Sequence, residues 1–198
     1  MKILIATGNE GKKKEMLEFF SSIQEKVTFL SLNDFPTVDD LEENGKTFEE
    51  NALLKAQYFG KKFQIPTIGE DSGLILEAFP KKFGLKTKRE ISASSDEEWL
   101  EIFLKMLENQ PNRNATFYSA MAFFDPKTNT SKTFLGTTSG TICEKPEAEL
   151  EKGIPVSAVF ICEGETKVFS AMTRAEKNRI SHRGKSVKKM VDFLGTLL

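Results

Sequence analysis

Apolar and polar positions change period several times along the chain. Ile3 to Ala6 form a short continuous apolar run that predicts a buried first strand. Gly11 to Phe20 carry Met16, Phe19 and Phe20 at helical spacing, and Val27 to Ser31 read as a second strand. An acidic loop covers 33–46. Thr47 with Glu50 forms a capping box, and the helix it opens presents Phe48, Ala52, Ala56, Phe59 and Phe63 on one face. Pro66 ends that run, and Thr67 to Leu76 read as strand–turn–strand around Glu70-Asp71-Ser72-Gly73. A second capping box, Ser95 with Glu98, opens a helix carrying Trp99, Ile102, Phe103, Met106 and Leu107. Strand-like runs follow at 115–124, 132–142 and 156–162, with a short addition at 167–170. Thr173 with Glu176 caps a short helix, and Lys185 to Leu194 form the last one, with Val187, Met190, Val191 and Leu194 inward. Helices and strands mixed along the whole length predict an α/β or α+β fold with a mixed sheet.

There is no internal repeat, low-complexity tract or linker, so the 198 residues read as one large domain or two lobes sharing a core. Hydrophobic residues at 39% and charged residues at 29% argue against wholesale disorder. The net charge of −1 gives no global attraction to nucleic acid or anionic membrane, so any phosphate site must be local. Cys143 and Cys162 lack metal-like spacing and read as reduced thiols, which fits a cytoplasmic protein. The apolar run at the start is too short for a signal-peptide core or a membrane span.

Four segments hold residue types suited to phosphate chemistry. Thr7-Gly8-Asn9-Glu10-Gly11-Lys12 lies between a strand and a helix. Its glycines permit a sharp turn, and the helix N-terminus offers free N–H groups to an anion. The spacing is not that of a Walker A loop, and the plain alternative is a turn followed by Lys12, Lys13 and Lys14 in solvent. Glu43 precedes the capped helix that carries Glu50, Asn51 and Lys55; capping alone accounts for Thr47 and Glu50, and Glu43 could be solvated. Glu70 and Asp71 follow a strand-like Thr67-Ile68 and are flanked by glycines. Paired acids there suit a hard cation such as magnesium, which takes few carboxylates and completes its shell with water and substrate phosphate. A carboxylate there can also deprotonate an attacking water, and the alternative is a polar turn. Lys177 to Gly184 holds the chain's single histidine, His182, beside Arg183, whose fork suits phosphate oxygens. Two anion stations and two carboxylate stations together match what a metal-chelated triphosphate needs.

The segments T-G-N-E-G-K, E-N-G-K-T-F-E-E-N-A-L-L-K-A, E-D-S-G-L and T-R-A-E-K-N-R-I-S-H-R-G, in this order and over nearly the whole chain, resemble the inosine triphosphate pyrophosphatase family. The resemblance implies two lobes around a long mixed sheet with a central cleft, in a single catalytic domain spanning 1–198. It also implies a homodimer, Mg²⁺, and hydrolysis of ITP, dITP and XTP to the monophosphate and pyrophosphate. By that likeness Thr7, Gly8, Asn9, Glu10, Gly11, Lys12 and Lys55 would line the triphosphate. Glu43 and Asp71 would hold the metal, Asp71 would activate water, and Ser72 would sit beside the substrate. Lys177, His182 and Arg183 would contact the nucleotide. No nucleic-acid or membrane partner is implied.

Two stretches depart from the family pattern. Where the family has P-G-x-Y-S-A-R, this chain has residues 83–89, keeping Thr87 and Arg89 for the Ser and the Arg in a more basic setting. Where the family has G-F-G-Y-D-P, the chain reads Gly153-Ile154-Pro155-Val156-Ser157-Ala158, so the stacking aromatic becomes Ile154 and the acid becomes Ser157. Loss of a stacking ring would weaken base binding by about 1–3 kcal/mol. The expectation is therefore a Mg²⁺-dependent triphosphate pyrophosphatase. Its alternatives are the same chemistry on other modified or pyrimidine nucleotides, or a nucleotide-binding module without turnover.

Overall fold

The computed structural model describes residues 1–8, 10–39, 41–80, 84–85 and 90–198; at 10–12 and 15 it describes the backbone alone. Strand β1 (Lys2–Ile5) leads into helix α1 (Glu10–Phe19), followed by β2 (Thr28–Ser31), α2 (Phe48–Phe63), β3 (Thr67–Leu76) and α3 (Asp96–Met106). Then come β4 (Asn114–Asp125), β5 (Thr130–Ile142), β6 (Phe160–Cys162), α4 (Arg174–Ile180) and α5 (His182–Gly195). The strands form one six-stranded sheet in the order β2-β1-β3-β4-β5-β6. β1 runs parallel to β2 and to β3, whereas β5 and β6 are antiparallel, so the sheet is mixed as expected. No helix among the described residues is long and apolar enough to cross a membrane.

The chain divides into two compact units. One comprises Met1–Ser72, Ser119–Gly136 and Arg183–Leu198; the other comprises Gly73–Tyr118 and Thr137–His182. In the first unit the continuous apolar run of β1 is buried on both faces, as parallel strands are. Ile3 and Ile5 join a core with Met16, Phe20, Ile68, Met121, Val187 and Met190. Leu4 and Ala6 join Leu32 and Phe59. The second unit packs Leu74, Leu76, Leu100, Phe103, Phe117, Phe160 and Phe169 into its own core. Many of the seventeen phenylalanines thus serve burial.

Several boundaries differ from the sequence expectation. Thr67–Leu76 is one ten-residue strand, not strand–turn–strand. It lies between β1 and β4 in the sheet, where the β1 pairing covers Thr67 and Ile68, and strand pairing overrides the local turn preference of Ser72 and Gly73. Residues 155–158 form a 3-10 turn instead of the start of a strand. Pro155 has no N–H to offer a ladder, and β6 begins only at Phe160. At 167–170 the strand reduces to a single bridge, Val168 with Ile161, before a 3-10 turn at Phe169–Ala171. α5 starts at His182, three residues earlier than expected. Of the three capping boxes, Thr173–Glu176 closes in both directions. Thr47 and Ser95 accept from the expected amides, but the Glu50 and Glu98 carboxylates reach back to the N–H groups of Lys46 and Ser94 instead.

Candidate active site

The first unit brings Glu43, Lys55 and Asp71 together. β3 carries Glu70 and Asp71, and α2 packs across it with Asn51 and Lys55 one turn apart, hence on one face. The Lys55 ammonium lies 3.1 Å from Glu43 Oε1, 2.9 Å from the Glu70 carbonyl oxygen and 3.7 Å from Asp71 Oδ1. Asn51 Nδ2 donates to Asp71 Oδ2 at 3.0 Å, while Asn51 Oδ1 accepts from the Gly45 amide at 2.7 Å. One buried amide thus ties the loop bearing Glu43 to the strand bearing Asp71. The Ser72 amide donates to Asp71 Oδ1 at 3.0 Å. Arg183, in the first turn of α5, reaches Glu70 Oε1 at 3.4 Å and Ser72 Oγ at 3.3 Å.

Asp71 is 7% exposed and Glu70 is 6% exposed, unusual for acids and a sign of a built site. Burial is the main force holding the Asp71 carboxyl above the usual carboxylate range. Lys55 and the Asn51 hydrogen bond pull it down, and the charges of Glu43 and Glu70 push it further up. A carboxylate so poised is a better proton acceptor than an exposed one.

Asn51 was not singled out as a site residue by the sequence reading, which took Glu70 only as one of a paired set of acids with Asp71. The signal for Asn51 was a polar residue inside the apolar stripe of α2, beside Ala52 and one turn before Lys55. Lys13 is not simply solvated: it donates to Ser31 Oγ at 2.9 Å and lies 3.7 Å from Asp34. Thr7 and Gly8 precede α1, and their carbonyls accept from the Leu32 amide and the Asn33 side chain, which pins the loop to the end of β2. Asn9 and Arg89 lie outside the described residues, and for Glu10, Gly11 and Lys12 only the helical backbone is described.

α5 is held by a buried hydroxyl pair. Ser186 Oγ lies 2.8 Å from Ser119 Oγ on β4 and 3.1 Å from the Arg183 carbonyl, and both serines are fully buried. Ser186→Ala strands the Ser119 hydroxyl and should cost about 1–3 kcal/mol, whereas the Ser119→Ala/Ser186→Ala double variant should recover most of that loss. Urea unfolding of the three variants checks this; additive losses would refute it.

In the second unit the His182 ring stacks on Phe117 with centroids 4.7 Å apart and planes 10° apart. The Lys177 ammonium pairs with Glu151 and lies over the Phe169 ring. Ile154 is half-buried. Ser157 is fully buried and donates to the Ile154 carbonyl at 2.7 Å. Gly153 adopts φ +79°, a conformation that favours glycine, and its amide donates to Asp96 on α3 at 2.6 Å.

No group of three or more His, Cys, Asp or Glu side chains able to hold a metal occurs among the described residues. That does not disqualify magnesium, which needs one or two carboxylates when phosphate and water complete its shell. Glu43 and Asp71 already share one cation, the Lys55 ammonium, so their oxygens fit a small hard ion.

The architecture defines a mixed α/β protein of the Ham1 type. A HAM1 protein from Coxiella burnetii superposes with a TM-score of 0.86 at 27% identity, covering 99% of each chain. The Ham1 protein of Staphylococcus aureus does so with 0.85 at 29% identity, covering 100% of each. The chain belongs to the Ham1 family, whose model matches residues 3–193. Among its relatives is the dITP/XTP pyrophosphatase of Bacillus cereus, 34% identical over 202 residues, covering 98% of this chain and 97% of the relative. The dITP/XTP pyrophosphatase of Aquifex aeolicus is 33% identical over 204 residues, covering 98% and 96%. The resemblance read from the motifs is thereby borne out.

Proposed function

We propose that this chain is a Mg²⁺-dependent nucleoside triphosphate pyrophosphatase that converts dITP, ITP and XTP to the monophosphate and pyrophosphate. The observation that carries the reading is the buried Asp71, held by Asn51 and facing a lysine it shares with Glu43. The names of the relatives support the substrate class. Removal of such nucleotides from the cytoplasmic pool would follow. A single catalytic domain of residues 1–198, acting as a homodimer, completes the reading.

Magnesium, when bound, neutralises phosphate oxygens and acidifies coordinated water. Glu43 and Asp71 would hold it. Asp71 takes a proton from the attacking water. The water oxygen bonds to the α-phosphorus while the α–β bridging bond breaks, and its electron pair leaves with pyrophosphate. Thr7, Gly8, Asn9, Glu10, Gly11, Lys12 and Lys55 line the polyphosphate, with Ser72 and Arg89 beside it. Lys12, Lys177 and Arg183 offset charge that builds on the phosphates. Ile154, Lys177, His182 and Arg183 contact the nucleoside.

A second reading keeps this chemistry and broadens the base. The position that would accept from base N–H groups holds Ser157, a neutral and fully buried hydroxyl that donates to the Ile154 carbonyl, in place of a charged acid. One screen separates the two: pyrophosphate release from dITP, XTP, dUTP, dTTP and dGTP with Mg²⁺. The first reading expects dITP and XTP to lead by about tenfold or more, a gap of about 1.4 kcal/mol. Comparable rates on dUTP and dTTP would favour the second. Tight nucleotide binding with no product would leave only a binding module.

A further inference from the structure

Resting on the proposed nucleotide chemistry, we infer that Lys55 is the resident counter-ion of the carboxylate pair, and that the divalent cation enters only together with nucleotide. The Lys55 ammonium faces three oxygens at once: Glu43 Oε1, Asp71 Oδ1 and the Glu70 carbonyl. Its side chain is 13% exposed, so the group sits inside the cluster and not above it.

Two other oxygens of the cluster face different partners. Asp71 Oδ2 accepts from Asn51, and Glu70 Oε1 faces Arg183. Withdrawing Lys55 would therefore leave three oxygens without their cation at one point: two carboxylate oxygens, of which Asp71 Oδ1 keeps the Ser72 amide, and one backbone carbonyl. All are hard donors of the kind magnesium takes. The ammonium and the metal compete for the same place, and both cannot sit there, because two cations a few ångströms apart in a half-buried site repel strongly.

Lysine suits such an exchange. It is a point charge on a flexible four-carbon stem with three rotatable donors. A polyphosphate arriving with its metal offers the ammonium new anionic partners, so charge is conserved as Lys55 changes from carboxylates to phosphate. Free metal offers no such partner and must expel an ammonium into water. The free protein is thus kept from binding divalent ions without substrate, and part of the charge of its two acids is offset meanwhile.

The test is binding of Mn²⁺, followed by its electron paramagnetic resonance signal, to nucleotide-free protein. Lys55→Met should bind Mn²⁺ about tenfold or more tightly than the parent, because the competing charge is gone. Lys55→Arg, which keeps the charge, should stay at the weak parental affinity. Glu43→Gln/Lys55→Met should lose the gain. Circular dichroism of each variant establishes folding, and Lys55→Arg keeps the comparison usable should Lys55→Met fold poorly: Mn²⁺ binding by Lys55→Arg tenfold above the parent overturns the inference. Equal Mn²⁺ affinity for the parent and Lys55→Met also overturns it. Absence of pyrophosphate release by the parent on every triphosphate would instead remove the proposed function, a result the Mn²⁺ titration does not read.

Discussion

Asp71→Asn should lower pyrophosphate release by about 10³-fold, the range lost with a general base, while making the metal-free protein more stable at neutral pH. The two effects share one cause. Burial is the largest influence on Asp71 and disfavours its ionised form. Its folded value lies above the ordinary 3.8, so its contribution to stability is full at acidic pH and is lost as pH rises through the folded value. The asparagine has no charge to desolvate. Melting curves without metal should therefore coincide for parent and variant below the ordinary aspartate value of 3.8, and separate as pH rises, with the variant higher. Activity within a few-fold of the parent would remove Asp71 from the chemistry. A variant that melts lower at neutral pH would show that Lys55 and Asn51 outweigh burial.

Gly69→Ala should cost about 3 kcal/mol or more of stability and disable the site. A Cβ at Gly69 would fall 2.0 Å from the Ala52 carbonyl oxygen and 2.9 Å from the Ala56 amide. Both are backbone atoms of α2, so no side-chain rotation can relieve the clash. β3 and α2 would have to part, and this contact brings Asn51 and Lys55 against Asp71. By contrast, the closest atoms to a Cβ at Gly60 belong to the buried Phe124 ring, at 2.7 Å, so a side chain and not backbone must give way. Gly60→Ala also gains about 1 kcal/mol of helix propensity, so its net cost should be smaller than that of Gly69→Ala. Urea denaturation of both variants, with pyrophosphate release measured alongside, checks the contrast. Equal stability of Gly69→Ala and Gly60→Ala would contradict it.

Local signals carried far. The apolar run at Ile3 to Ala6 announced a buried strand, because burial on both faces requires it. Thr47, Ser95 and Thr173 announced helix starts through their short hydroxyl side chains, and all three accept the expected amide. The acid pair at Glu70 and Asp71 announced a cation or proton site, because paired carboxylates at a strand end flanked by glycines suit a hard cation.

What the chain order could not disclose depended on partners distant in sequence. Ser72 and Gly73 favour a turn locally, yet pairing within the sheet carries β3 through them as one strand. Asn51 looked like one more polar helix residue until folding put Asp71, twenty positions away, within hydrogen-bond reach. Lys177 reads from the sequence as part of a basic segment with Arg183, and folding adds Glu151, twenty-six positions away, as its partner. The kinds of element and the residue types of the site are thus properties of the linear chain, set by period, caps and charge. Which acid pairs with which cation is decided only by tertiary packing, since Coulomb and hydrogen-bond energies depend on distances that sequence spacing does not contain.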